Sequence, residues 1–128
     1  MPALPKPPRL TQLENGWRFL NLLTATACQT AGVTAEQILA HRGPQPVAEL
    51  RFLIWQLARQ LTVLSSQDLA DVFDYTLNNI IYGITRAGEL LEADPSFRAR
   101  AQQIKAATLK LYGQKEVQSP ESKVQSLK

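Results

Sequence analysis

The chain has 128 residues, of which 45% are hydrophobic and 20% charged, and it carries a net charge of +3 at neutral pH. This length suits one domain around a single core, and no apolar run approaches the roughly 20 residues that span a bilayer, so no membrane segment is expected. A lone cysteine, Cys28, excludes an internal disulfide, and Met1 is followed by proline-rich sequence rather than an apolar leader, so a cytoplasmic protein is the expectation.

In chain order, residues 1–10, "MPALPKPPRL", hold four prolines and read as an extended, mobile arm. Residues 11–113 read as one helical domain, and the polar, proline-broken residues 114–128 as a disordered tail. Within the domain, Thr11 is a candidate N-cap for a helix over 11–31 that places Leu13, Trp17, Leu20, Thr24 and Ala27 on one stripe. Gly32 ends it, and Thr34 with Gln37 forms a capping box for a short second helix. "HRGPQP" is a loop by composition. The third helix covers about 47–62, with Leu50, Leu53, Ile54, Leu57 and Leu61 at helical spacing. Ser65 or Ser66 caps the fourth, which offers Leu69, Val72 and Phe73. After a break at Asp74-Tyr75, Thr76 starts the fifth, with Leu77, Ile80, Ile81, Ile84, Gly88 and Leu91 on its expected inner face. Asp94-Pro95 opens the sixth, which is expected to bury Phe97, Ala101, Ile104, Thr108 and Leu111 and to stop at Gly113. The fold class is all-α, with about six helices and a helix-turn-helix over residues 65–81.

Charge and chemistry narrow the function. Segment 10–113 is neutral, with nine basic and nine acidic residues, so the excess positive charge lies in the terminal segments. One histidine, His41, and one cysteine cannot build a His/Cys metal cluster, and the six glycines are scattered singly, without a phosphate loop. No catalytic residue, metal or cofactor is expected, and the protein is not expected to be an enzyme. Arg51, Trp55 and Arg59 recur at i, i+4, i+8. Two readings fit this stripe: arginine stems covering a half-buried indole, or a phosphate-binding ridge. Asn78 and Asn79, at the start of the fifth helix, fit either a polar turn facing water or a pair of adenine readers in a major groove.

The stretch "ILAHRGPQPVAELRFLIWQLARQLT", residues 38–62, followed by "SSQDLADVF", resembles the C-terminal DNA-binding domain of the bacterial replication initiator DnaA, and the resemblance covers about residues 33–112. That family shows a Leu-Leu helix end, a basic loop, a long helix opening with Arg and ending in "L-A-[RK]-E-L-T", and then "S-L-x-E-I-G-x-x-F". The resemblance implies a domain IV-like, Trp-repressor-like helix-turn-helix fold, here as a small stand-alone protein without the initiator's ATPase. It implies phosphate contacts from Arg51 and Arg59 and from the start of the fourth helix at Ser66 and Gln67, and groove or base contacts from Arg42, Thr76, Asn78 and Asn79.

The sequence also departs from that family. Gly43 stands where the family inserts an Arg into the minor groove, "LNNII" (77–81) replaces Asp-His-Thr-Thr-Val, and Gly83 replaces a later His. The expected function is therefore a small DNA-binding regulator of replication or transcription with altered or relaxed specificity. Its expected partner is double-stranded DNA with an AT leaning, which would make it nucleoid-associated. The alternative is a degenerate module whose DNA face binds a replication or regulatory protein instead.

Overall fold

The computed structural model describes Leu4 and residues 13–117. Among these residues there are six helices and no strand: α1 (Glu14–Ala31), α2 (Ala35–Leu39), α3 (Gln45–Leu61), α4 (Ser66–Phe73), α5 (Leu77–Ala93) and α6 (Pro95–Val117).

Local signals set most of the boundaries. Gly32 closes α1 at φ 74°, donating its N–H to the Cys28 carbonyl at 2.8 Å, a left-handed cap that a Cβ would strain. At the start of α2, the Gln37 N–H donates to Thr34 Oγ1 and the Thr34 N–H donates to Gln37 Oε1, which is the expected capping box. Of the two candidate serines, Ser65 caps α4, in a reciprocal box with Asp68. Asp74 ends α4 at φ 59°, the one non-glycine residue with positive φ among those described; aspartate tolerates this conformation better than most side chains. Thr76 caps α5 by accepting the Asn79 N–H, and Asp94 Oδ1 accepts the N–H groups of Ser96 and Phe97 at the start of α6.

Helix α3 is the axle of the fold. It packs against α1, α2 and α5, while α6 closes over α1 and α5. Leu50, Leu53, Ile54, Trp55, Leu57 and Ala58 are all buried, so α3 is apolar around most of its circumference, as expected for a helix enclosed by others.

The structure departs from the sequence reading at several points. Helix α1 starts at Glu14, and the proposed cap Thr11 lies outside the described residues. Helix α6 runs through Gly113 to Val117 instead of stopping there, and Leu111 is exposed. Leu4, assigned to a mobile arm, is buried in the core and donates its N–H to Asn21 Oδ1 at 2.9 Å; the rest of that arm and residues 118–128 lie outside the described residues.

The main correction concerns α5, whose buried face is Ile80, Gly83, Ala87 and Leu90. Leu77 and Ile81 face solvent, and Ile84 and Leu91 are only partly buried. The cause is Gly83. A Cβ built there would lie 2.6 Å from Trp55 Cε3 and 2.7 Å from Phe52 Cδ1. The large indole takes the space that an apolar side chain on α5 would otherwise fill, and the helix is turned about one residue from the face its branched residues suggested.

Candidate nucleic-acid interface

Helices α4 and α5 are joined by three residues, Asp74, Tyr75 and Thr76. With the left-handed turn at Asp74 and the Thr76 cap, the first turn of α5 projects from the body, and Thr76, Leu77, Asn78 and Asn79 are all exposed. No side-chain bond holds either asparagine amide among the described residues, so both remain available to a ligand.

The loop over residues 40–44 is fastened beside this turn. The Tyr75 hydroxyl donates to the Ala40 carbonyl at 2.9 Å. The His41 ring lies on the Tyr75 ring, with centroids 4.4 Å apart, and His41 Nε2 is 3.8 Å from Asp74 Oδ2. Arg42 is therefore carried, exposed, on a loop clasped to the start of α5. Gly43 has φ 145°, a conformation that L side chains rarely adopt, so the loop offers its basic side chain from position 42 rather than 43.

The stripe of Arg51, Trp55 and Arg59 does not form a surface ridge. Trp55 is wholly buried, edge-on to Phe73 and Tyr75. Arg51, for which the resemblance implies a phosphate contact, is only 4% exposed and so lies beneath the surface that a duplex backbone would touch. Its Nε donates to the Ile38 carbonyl at 2.8 Å and its Nη2 to the Gln37 carbonyl at 3.1 Å, so it serves the unpaired carbonyls at the end of α2. Its guanidinium carbon also lies 5.6 Å from the centre of the Tyr75 ring. Burial lowers the pKa of Arg51, with the Tyr75 phenol acting in the opposite sense, and burial raises that of Tyr75, opposed by Arg51.

Arg59 differs. It is exposed, and its Nη1 donates to the Leu64 carbonyl at 2.6 Å, which holds the guanidinium beside the first turn of α4. There Ser66 is half-buried and Gln67 is exposed, with the Gln67 amide donating to Asp71 at 3.0 Å. The Ser66 and Gln67 N–H groups belong to the first turn, where a helix has no acceptors of its own. The buried Asp68 carboxylate already caps this helix start, so an anion arriving there would have Arg59 as its attraction and Asp68 as its competitor.

The remainder of α5 is poor in positive charge. Arg86 pairs with Glu89 at 3.1 Å, and Asp71, Asp74, Glu92 and Asp94 are exposed on α4, α5 and their ends. Leu77, Ile81 and Tyr82 are 40%, 47% and 62% exposed, an apolar strip on the same helix. Among the described residues no group of His, Cys, Asp and Glu could hold a metal ion, and no helix is long and apolar enough to cross a membrane.

Sequence reasoning missed the clasp. Its signal was an aromatic residue, Tyr75, in an otherwise polar turn, 35 residues from its carbonyl partner, and no local pattern reveals a contact at that separation. The chain matches no protein-family model, and a search of curated proteins finds no match.

Proposed function

We propose that the protein binds duplex DNA through the first turn of α5, as a helix-turn-helix module like the C-terminal domain of DnaA, and acts in the regulation of replication or transcription. The observation that carries this reading is the exposed turn Thr76–Asn79 with the Arg42 loop clasped beside it by Tyr75. A helix start placed this way can enter a major groove, about 12 Å wide, while a neighbouring arginine reaches a phosphate or the minor groove. Arg59 and the start of α4 supply a second phosphate contact. Asn79 can pair with adenine N6 and N7, which gives the AT leaning.

Fluorescence anisotropy with labelled duplexes at low salt tests this. Arg42→Ala and Arg59→Ala should weaken binding to every duplex by a similar factor, and Asn79→Ala should remove preference among duplexes, by about 1–3 kcal/mol of discrimination. Wild-type affinity in all three variants overturns the proposal.

A second reading has its own support. The exposed Leu77, Ile81 and Tyr82 suit a protein partner at least as well as a thymine methyl. Absence of duplex binding at low salt, with α5 intact, transfers the case to that reading.

A further inference from the structure

Between α3 and the start of α5 lies a cleft of about 220 Å³, lined by His41, Arg51, Phe52, Trp55, Tyr75, Asn79 and Tyr82. Its lining is dominated by aromatic rings: Phe52 and Tyr82 meet edge to face at 5.8 Å, Phe52 leans on Trp55 at 5.8 Å, and Tyr75 meets Trp55 edge-on at 5.1 Å.

Two groups in this lining are incompletely satisfied. Arg51 is a buried cation, and no carboxylate among the described residues pairs with it. A guanidinium carries five N–H bonds; two donate to backbone carbonyls, leaving the others available. Trp55 is wholly buried, and its Nε1–H has no acceptor among the described residues, but it is closed off from a molecule in the cleft. The open requirement is that of Arg51: a buried charge nearly always has a counter-charge, so the cleft beside it calls for an anion.

We propose that this cleft is a binding site for a small planar aromatic carboxylate. The aromatic lining selects a flat ring. The buried Arg51 selects an anion, and the Asn79 side-chain NH2 offers N–H donors to its oxygens. The size agrees, since an apolar cavity of about 150 Å³ accepts benzene, and the cleft here has room for a single ring with a carboxylate. The proposal stands on the cleft alone and does not depend on DNA binding.

The test is an NMR titration of the full 15N-labelled chain with benzoate, with acetate and benzyl alcohol as separate controls. Trp17 and Trp55 are the two tryptophans, so each indole N–H gives its own signal. Benzoate should shift the Trp55 indole and the Asn79 side-chain amide saturably and leave Trp17 in place. Acetate, which lacks the ring, and benzyl alcohol, which lacks the charge, should each bind at least about tenfold more weakly. Tyr82→Ala removes a wall residue that is 62% exposed; it should keep the thermal stability of the parent and weaken benzoate at least about fivefold. The proposal is overturned if benzoate produces no saturable shift, if Trp17 moves as far as Trp55, if acetate binds as well as benzoate, or if folded Tyr82→Ala binds benzoate like the parent.

Discussion

Gly83 shows how much one missing side chain can decide. Its Cα carries nothing because Phe52 and Trp55 occupy the space, with ring carbons 2.6–2.7 Å from where a Cβ would stand. The Trp55 ring is wholly buried against Phe73 and Tyr75 and has little room to retreat. Gly83→Ala should therefore destabilise the fold by about 1–3 kcal/mol despite the better helix propensity of alanine, measurable by urea unfolding. Stability equal to or above the parent would show that α3 and α5 can part freely. Cys28 makes a separate prediction. Burial raises its thiol to about 11 from an ordinary value of 9.0. The folded state then holds its proton more tightly than the unfolded chain, so this residue's contribution to stability is complete below pH 9 and is lost as pH rises towards 11. Cys28→Ala should flatten the stability profile over that interval, and the native thiol should alkylate far more slowly than the unfolded one.

At the scale of elements, the caps at the starts of α2, α4, α5 and α6 were legible in the sequence because a cap is a local object. Thr34 with Gln37, Thr76 and Asp94 each act within three residues of themselves. Of the inner face of α5, Ile80 was legible and Gly83, Ala87 and Leu90 were not. Hydrophobic periodicity weighs Leu77 and Ile81 heavily and Gly83 and Ala87 hardly at all, yet the small residues are the buried ones. Close approach to a tryptophan on another helix is a tertiary requirement, and it overrides the local pattern. For Arg51 the sequence left two readings open, a stem packed on the indole or a phosphate ridge, because the contact that seats it, with the carbonyls of α2, is again a tertiary one. The clasp joining the 40–44 loop to the α4–α5 turn can be tested directly. Tyr75→Phe removes one hydrogen bond, to the Ala40 carbonyl, and keeps the ring under His41. It should cost about 0.5–1.5 kcal/mol of stability and also weaken duplex binding, although Tyr75 is given no contact with DNA in the proposed mode. Unchanged binding would mean that the loop does not need to be held for Arg42 to act.

For the whole molecule, the decisive property is where the charge lies. Segment 10–113 is electrically balanced, and within it Arg51 is buried and Arg86 is paired with Glu89. The proposed DNA face thus relies on Arg42 and Arg59 against an acidic α5. A protein of this kind should hold DNA with modest affinity, and each phosphate contact should release counterions as salt is added. The most direct measurement is the affinity of the full chain for a short AT-rich duplex across a series of salt concentrations. With Arg42 and Arg59 each on a phosphate, the logarithm of the binding constant should fall against the logarithm of salt with a slope of about −2 or steeper, at roughly 0.9 per contact. In Arg42→Ala and in Arg59→Ala the slope should become shallower by about one. Binding that is undetectable at the lowest salt, or whose slope is the same in both variants as in the parent, would contradict the assignment of this face to DNA.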